Sequence, residues 1–283
     1  MEDVEIFAQN IPHPEGVAFG PEGWLYTGSS LPDHKGTGPI YRVSPDGKTV
    51  EKFADTGGRV LGLAFDRRGE LYVCDSARGA VFRISPEGTV HLFADHVGPR
   101  KMQIPNFLVF DQEGNLYVSD SGTARAGEPT GAIFRFTPGG MGKIFLDRLV
   151  FANGLALSSQ EDTIYVVETR DDRVLRVPIT SNRSAGQVDV YADNLTSGPD
   201  GLALDAVGNL YITVTRSNQI VCVTTNGKRF SLVADSTDRR VCMPSNLAFG
   251  GLDNHELYIA NLFSHHISRL TVENAGMPVY SQR

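Results

Sequence analysis

Side chains that commonly bind metal ions recur at one position of a phrase that the chain repeats six times. Each copy contains a short apolar core, such as Ala18-Phe19 or Ala203-Leu204, and the shared position lies four residues before the end of that core. Two carboxylates and two carboxamides occupy it, and their oxygens suit a hard divalent cation. The pattern therefore predicts a calcium-type site, provided that the fold brings these residues together. In chain order the residues at this position are Glu15, Leu61, Asn106, Asn153, Asp200 and Ser245.

The ligand types favour calcium among the divalent cations. Ca²⁺ takes six to eight oxygen ligands, so the four groups Glu15, Asn106, Asn153 and Asp200 leave positions for water and substrate. Mg²⁺ requires a stricter octahedral geometry, and Mn²⁺ stays open as an alternative. Zn²⁺ is less suited, because no two of the seven histidines have helical i, i+4 spacing.

The spacing of the copies indicates how these residues are carried. Successive copies are separated by 46, 45, 47, 47 and 45 residues, a period typical of repeat architectures whose units cannot fold alone. Within each period, apolar and polar residues alternate with a period of two, and β-branched and aromatic residues are enriched. Each period contains four such segments separated by turn residues, which is the number of strands in a propeller blade. The sequence predicts an all-β, six-bladed β-propeller with four antiparallel strands per blade.

The chain ends are expected to close the ring. The segment 5–8 (Glu-Ile-Phe-Ala) resembles the fourth strand of the other units, whereas the last copy, which begins at Ser245, lacks one. We predict that the N-terminal strand completes this last blade and removes an open sheet edge. The segment 278–281 is the rival candidate. Six periods fill nearly the whole chain, which favours one domain over residues 1–283.

A propeller would bring the shared position to one point. The innermost strand of each blade runs along the central channel, so equivalent residues on six inner strands form a ring around the axis. Gly16, Gly154 and Gly201 directly follow the shared position, and glycine fits a strand start where neighbouring backbones crowd together.

Composition limits the classes of partner. The formal net charge of −7 and the pI near 5.5 argue against a general nucleic-acid binder. No apolar run is long enough to span a bilayer, and the first residues lack the pattern of a secretory signal. Three widely spaced cysteines suggest neither a disulfide framework nor a thiolate metal site. We expect a cytoplasmic protein that binds a small-molecule substrate, without nucleic acid or membrane.

These phrases carry a family resemblance over essentially the whole chain. The chain resembles the senescence marker protein, gluconolactonase and luciferin-regenerating enzyme family of six-bladed propellers, which commonly hold calcium. The resemblance implies that Glu15, Asn153 and Asp200 bind a divalent metal and that Asn106 completes the site or touches the substrate. The calcium-dependent propeller phosphotriesterases are similar too, with the same four residue types. The phrases in question are Pro14-Glu15-Gly16, Pro105-Asn106, Asn153-Gly154-Leu155 and Pro199-Asp200-Gly201.

The chain departs from the family pattern beside Asn106. Sugar lactonases of the family often carry an arginine two residues before this Asn and an acidic residue after it, whereas this chain has Ile104 and Phe107. This departure favours a smaller or more apolar ester over a sugar acid. The polar residues expected to reach the pocket from loops are Arg59, Arg100, Gln103 and Arg125.

The resemblance implies a metal-dependent hydrolase of a lactone or related ester. The cation polarises the substrate carbonyl, and Asp200 acts as general base or nucleophile. Phosphotriesterase-type or lyase activity at the same site is an alternative. A different class stays open as well, a non-catalytic binding propeller with a structural axial ion that uses the loops 29–38 and 124–131. The loops 29–38 and 100–105 are the candidate substrate lids.

Several other polar residues are assigned less specific roles. Asp75, Asp120 and Glu168 end the second strand of their units beside turn residues, so we predict that they bind local backbone. His13 and His266 are candidates for the channel mouth and the pocket wall. Arginines that recur on the third strands, Arg42, Arg83, Arg135 and Arg176, are expected to be solvated or paired groups.

Overall fold

The computed structural model describes residues 4–29, 38–123, 128–195, 197–237 and 239–282. Within these ranges the regular structure is almost entirely β-strand, apart from 3₁₀ helices at Thr215–Ser217 and Tyr280–Gln282. None of the helices in these ranges is long and apolar enough to cross a membrane. In chain order the strands are β1 (Glu5–Gln9), β2 (Pro14–Phe19), β3 (Leu25–Ser29), β4 (Pro39–Val43), β5 (Val50–Asp55), β6 (Val60–Phe65), β7 (Leu71–Asp75), β8 (Ala80–Ile84), β9 (Val90–Ala94), β10 (His96–Val97), β11 (Arg100–Lys101), β12 (Pro105–Phe110), β13 (Leu116–Asp120), β14 (Gly131–Phe136), β15 (Gly142–Leu149), β16 (Ala152–Leu157), β17 (Thr163–Glu168), β18 (Arg173–Pro178), β19 (Asp189–Ala192), β20 (Pro199–Leu204), β21 (Leu210–Val214), β22 (Gln219–Val223), β23 (Arg229–Ala234), β24 (Pro244–Gly250), β25 (Glu256–Asn261) and β26 (His266–Thr271).

The strands form six antiparallel sheets of four, which confirms the predicted six-bladed propeller. In blades one to five the four strands follow one another in the chain and lie side by side in that order. Their first strands are β2, β6, β12, β16 and β20. Blade six has the order β1-β26-β25-β24, with Glu5 opposite Arg269 and Gln9 opposite His266. The N-terminal strand therefore closes the ring, as predicted. The small hairpin of β10 and β11 forms a separate two-stranded sheet, and its Val97 packs in the core cluster that contains Phe134 and Phe136 of blade three.

Residues 278–281, the rival candidate for closure, lie elsewhere. After β26 the chain crosses the end of the channel at which the inner strands finish. The amide of Met277 donates to the carbonyl of Leu204 at 2.9 Å, and the amide of Ala206 donates to the carbonyl of Ala275 at 2.8 Å. The terminal segment thus lies against the base of the inner strands, because the outer edge of blade six is already paired with β1.

Aromatic contacts between neighbouring blades explain why tyrosine and phenylalanine recur at fixed positions of the repeat. A tyrosine from the second strand of one blade packs edge-on against a phenylalanine from the inner strand of the next blade. Such aromatic pairs contribute about 0.5–1.5 kcal/mol beyond their buried area. The pairs and the distances between their ring centroids are Tyr26 and Phe65 (4.9 Å), Tyr72 and Phe110 (5.1 Å), Tyr211 and Phe249 (5.3 Å), and Tyr258 and Phe19 (4.8 Å).

The inner strands contact one another in a closed ring, with β24 returning to β2. Glycines make this approach possible. A Cβ atom on Gly16 would lie 2.2 Å from the carbonyl oxygen of Leu61, and one on Gly154 would lie 2.4 Å from that of Asp200. On Gly201 the distance to the carbonyl oxygen of Ser245 would be 2.7 Å. These glycines therefore stand where the sequence predicted close backbone contact, directly after the shared position.

Candidate functional site

The shared position of the repeat lies in a β-bulge in every blade. The pairing of inner and second strands shifts between Pro14 and Val17 in blade one and at the equivalent place in the other five. Bulges turn a side chain away from the direction that the regular pleat would give it, and they are frequent beside active sites. Glu15, Asn106, Asn153 and Asp200 are thus removed from the regular ladder at the start of their strands.

Glu15 and Asp200, at the starts of the inner strands β2 and β20, are close enough for their charges to interact. Glu15 is only 7% exposed, and burial together with the negative charge of Asp200 raises its pKa well above the usual range. Burial also raises the pKa of Asp200 to about 7, although a hydrogen bond with Asn153 acts in the opposite direction. This interaction links strands that are not adjacent in the ring, because β24 lies between β2 and β20.

One oxygen of this pair lacks a hydrogen bond. Glu15 Oε2 is fully buried and accepts no hydrogen bond from the residues that the structure describes. A buried carboxylate oxygen without a partner is costly, and a second carboxylate nearby increases that cost. A divalent cation between the two groups would supply the missing positive charge. The pair therefore fits a bound cation.

The two asparagines are held by hydroxyl groups. Asn106 Nδ2 donates to Ser121 Oγ at 3.0 Å, and Ser121 Oγ donates to the carbonyl of Ala152 at 2.7 Å. Asn153 Nδ2 donates to Thr169 Oγ1 at 3.1 Å. Because the amide nitrogens are engaged in this way, each asparagine keeps its carbonyl oxygen for another ligand. Carbonyl oxygens are ordinary ligands of Ca²⁺.

The other two shared positions do not add ligands. Leu61 gives an apolar wall to the ring. Ser245 Oγ donates to the backbone carbonyl of Glu15 at 2.8 Å, which links blade six to blade one and fixes the main chain beside the carboxylate.

The candidate ligands are oxygen donors. In the part of the chain that the structure describes, no group of three or more His, Cys, Asp and Glu residues could hold a metal. The candidate centre instead combines two carboxylates with two carboxamides. Such a set matches hard cations and is poorly suited to zinc.

Comparison with known proteins identifies the family of this chain. Residues 36–262 match the family model described as the SMP-30/Gluconolactonase/LRE-like region. The chain belongs to this family. Residues 1–31 also match a model described as strictosidine synthase-like, N-terminal.

Curated relatives of this family member are longer proteins. Adipocyte plasma membrane-associated protein Hemomucin of Drosophila melanogaster is 31% identical over 229 residues, which are 69% of this chain and 38% of that protein. Protein STRICTOSIDINE SYNTHASE-LIKE 6 of Arabidopsis thaliana is 28% identical over 218 residues, or 71% of this chain and 56% of that protein. The chain thus spans 38% and 56% of the length of these two relatives.

Solved structures share the fold. A gluconolactonase from Xanthomonas campestris superposes with a TM-score of 0.80 at 20% identity, covering 95% of this chain and 89% of that one. A luciferin-regenerating enzyme gives 0.80 at 19% identity over 100% of both chains. The calcium-binding protein regucalcin from Agrobacterium tumefaciens gives 0.78 at 16% identity, covering 100% of this chain and 98% of that one. At these identities the likeness shows the propeller fold alone.

The acidic strand ends of this SMP-30/gluconolactonase-like chain bind local backbone, as predicted. Asp75 accepts hydrogen bonds from the amides of Arg59, Ala77 and Arg78. Asp120 accepts from Gln103, Ile104 and Gly122, and Glu168 accepts from Val150. Each acid thereby holds the loop that leads into its inner strand.

The two histidine candidates differ in position. His13 lies two residues before Glu15, its Nδ1 is 3.1 Å from the carbonyl of Leu262, and its ring lies beside Phe263 and His265. His266 does not line the channel, because it is buried in blade six between Ser264 and the carbonyl of Arg240. Its place at the start of β26, a third strand, explains the difference.

The loop residues expected at the pocket are only partly described. Most of the loop 29–38 and Arg125 lie outside the described residues. Arg100 is held by Asp147 at 2.5 Å and by the carbonyl of Thr130 at 2.7 Å, which ties the 100–105 loop to blade three. Arg59 and Gln103 are exposed, and Ile104 is half-buried.

Sequence reasoning missed the hydroxyl groups that hold the asparagines. Ser121 and Thr169 each follow the acidic end of a second strand, at Asp120 and Glu168. The sequence shows that a hydroxyl residue follows the acidic residue in these two copies. It does not show that the hydroxyl contacts the asparagine, because only the bulge places the residue after the acidic one opposite the shared position.

Proposed function

We propose that this protein is a divalent-cation-dependent hydrolase of a lactone or a related ester. Glu15, Asn106, Asn153 and Asp200 would hold the cation on the channel axis. Ca²⁺ suits the all-oxygen set best, with Mg²⁺, Mn²⁺ and Zn²⁺ as alternatives. Membership of the SMP-30/gluconolactonase family supports the lactonase assignment.

One observation carries this proposal more than any other. Two carboxyl groups from inner strands that are not adjacent are close enough for their charges to interact, and Oε2 of the buried Glu15 has no hydrogen-bond partner among the described residues. A protein fold seldom keeps such a pair without a compensating cation, since the cost of burying unpaired charge is large. Asp200 is hydrogen-bonded to Asn153, itself a candidate ligand, so a ligand-binding role accounts for the arrangement of these side chains.

The two carboxylates are suited to different tasks. Glu15 is nearly inaccessible, which favours a purely ligating role. Asp200 is half-buried and accepts a hydrogen bond from Asn153, so it can meet both the cation and a molecule in the channel. We assign Asp200 as the general base or nucleophile for this reason.

The chain's own residues would position the substrate. When bound, a divalent cation polarises the ester carbonyl and stabilises the negative charge that develops on its oxygen. Asn153 holds the Asp200 carboxylate in place through its amide. Leu61 and the half-buried Ile104 provide apolar surface near the ring, which favours a small or apolar ester over a sugar acid.

Two other readings are compatible with the same ion. The site could support phosphotriesterase-type or lyase chemistry, since both use a polarised oxygen. The ion could instead be purely structural in a binding propeller. The cytoplasmic location remains a prediction from the sequence.

Elemental analysis of the purified protein, followed by a panel of lactones, esters and organophosphates, tests the proposal. We expect about one divalent ion per chain, and turnover that a chelator abolishes and calcium restores. Glu15→Gln should lose the ion, whereas Asp200→Asn should lose turnover with weakened ion binding. Asp193→Asn, at an exposed position on the rim, is the matched control and should behave as wild type. An ion without turnover on any substrate would favour the binding propeller, and the absence of a specific ion would overturn the proposal.

A further inference from the structure

A cavity of about 150 Å³ lies on the channel axis beneath the candidate cation site. We call it the basal cavity. It is lined by the second halves of all six inner strands, residues 277–281 and Glu161, whose carboxylate accepts a hydrogen bond from the amide of Gln112. The cavity walls begin at Val17, Leu63 and Phe107, after the shared position, so the cavity occupies a different depth of the channel from Glu15 and Asp200.

The wall of the basal cavity is built from small side chains at one register. The residue three positions after the shared position is valine in blade three and alanine in the other five blades. Five of the six are half-buried, and four of these five lie between more buried neighbours, which indicates that this register faces the channel. At about 3.3 Å per residue, they lie roughly 10 Å below the cation ligands. The six residues are Ala18, Ala64, Val109, Ala156, Ala203 and Ala248.

The C-terminal segment forms the floor of the basal cavity. Besides the bonds of Ala275 and Met277 to blade five, Asn254 Nδ2 donates to the carbonyl of Gly276 at 2.7 Å. Gly276 passes so close to Phe249 that a Cβ atom on it would lie 2.1 Å from Phe249 Cβ. This segment is therefore seated in a defined position against the ends of the inner strands.

Tyr280 fastens the last turn. Its ring stacks on Phe110 with a centroid distance of 5.2 Å. The guanidinium of Arg67 lies over the Tyr280 ring, 4.6 Å from its centroid. Release of this ring from Phe110 would uncover the cavity from below, because residues 277–281 contribute its floor.

We propose that the basal cavity is a second ligand site that takes one small, uncharged, apolar molecule or group of about the size of benzene. A cavity of roughly 150 Å³ with aliphatic and aromatic walls in another protein stays dry and binds benzene or xenon. Most of the lining side chains of the basal cavity are aliphatic or aromatic, so a water molecule on the axis, away from Glu161 and Ser281, lacks the roughly two to four polar partners that it needs. The small side chains of the alanine register make the channel wide enough for this ligand. Residues 277–281, which include Tyr280, form the gate that must move for the ligand to enter.

The test uses the full chain in a chelator, so it does not depend on the proposed cation or hydrolase. Crystals pressurised with xenon should show xenon on the axis between Ala64 and Ala203. In solution, benzene near saturation should raise the midpoint of thermal unfolding by about 2 °C or more. Glycerol, as a polar molecule of comparable size, should give no such shift.

Filled variants locate the binding. Ala203→Leu and Ala64→Leu place bulk in the cavity from different blades, and each should abolish the benzene shift. Ala206→Leu is the matched control, since this exposed residue lies at the base outside the cavity. Tyr280→Ala should keep binding and accelerate benzene exchange, measured by NMR line shape.

Xenon on the axis in the wild type, with the benzene shift lost in the filled variants, supports the second site. No xenon in the channel, or a benzene shift of equal size in wild type and both filled variants, overturns it. If the filled variants do not fold, the xenon position in the wild type decides the question.

Discussion

Burial and the negative charge of Asp200 both raise the pKa of Glu15, although β2, which carries Glu15, and β20, which carries Asp200, are separated in the ring by β24. The charges of the two residues therefore interact across the ring of inner strands. Residues far apart in the chain thus converge because equivalent strands of six blades surround one channel. The bulge at each strand start supplies the direction of the side chain.

The metal-free protein should lose stability as pH rises. The pKa of Asp200 is about 7 in the folded state against an ordinary 3.8, and that of Glu15 is also raised, so between these values the folded state holds more protons than the unfolded state. The free energy of unfolding must then fall with rising pH over this window. Denaturant unfolding in a chelator should show lower stability at pH 8 than at pH 5, and calcium should restore it at pH 8.

The double variant Glu15→Gln, Asp200→Asn provides the control for this pH effect. Its metal-free stability should change less between pH 5 and pH 8, and calcium should no longer stabilise it. A wild-type protein that becomes more stable over this range in the chelator would contradict the assignment of the buried pair.

Removing the hydroxyl groups that hold the asparagines should weaken cation binding. Ser121→Ala and Thr169→Val leave the four ligands in place but free the amides of Asn106 and Asn153 to rotate. Loss of an outer-shell partner typically costs about 10- to 100-fold in metal affinity. Calorimetric titration with calcium would measure the change in Kd. Ser76→Ala alters the equivalent hydroxyl of blade two, where the shared position is Leu61, and should leave the affinity unchanged.

The carboxylate of Asp75 should matter for stability and not for the ion. It accepts three backbone amides and the hydroxyl of Thr56 at 2.7 Å. Loss of hydrogen bonds to a charged group, which leaves buried donors unpaired, predicts that Asp75→Ala lowers the free energy of unfolding by about 3 kcal/mol or more. Urea denaturation would measure this loss, with the exposed Asp193→Ala expected within about 0.5 kcal/mol of wild type. A stable Asp75→Ala protein with reduced calcium affinity would reverse the assignment.

Adding a methyl group to Gly154 should disturb the ring of inner strands. Its Cβ would meet the carbonyl oxygen of Asp200 at 2.4 Å, so β16 and β20 must separate. We expect Gly154→Ala to cost about 1–3 kcal/mol of unfolding free energy and to weaken calcium binding. Gly139→Ala, where the nearest atom would be 3.8 Å away, is the control and should be nearly neutral in both measurements.

The fold was accessible from the sequence because its information is local and repeated. The repeat period, the two-residue alternation of apolar and polar residues and the recurring turns each describe the structure of a single blade. Aligning the six copies shows that Glu15, Asn106, Asn153 and Asp200 occupy the same position. The Ala-Phe core even marks the wall of the channel, since Ala18, Ala64 and their equivalents line it.

Other features depend on geometry that no repeat encodes. The bulges arise where inner strands crowd, and they decide that the hydroxyls of Ser121 and Thr169 meet the asparagines. His266 was misplaced because alternation along a strand does not say which strand of the blade it belongs to. The position of residues 277–281 across the base follows from contacts with Leu204 and Phe110, which are distant in the chain.

A crystal structure of the wild-type protein grown with calcium tests the central claim most directly. We expect one ion on the channel axis, with oxygen atoms of Glu15, Asn106, Asn153 and Asp200 at about 2.3–2.6 Å from it. An axis without an ion under saturating calcium, or an ion that Glu15 and Asp200 do not both contact, would contradict the account.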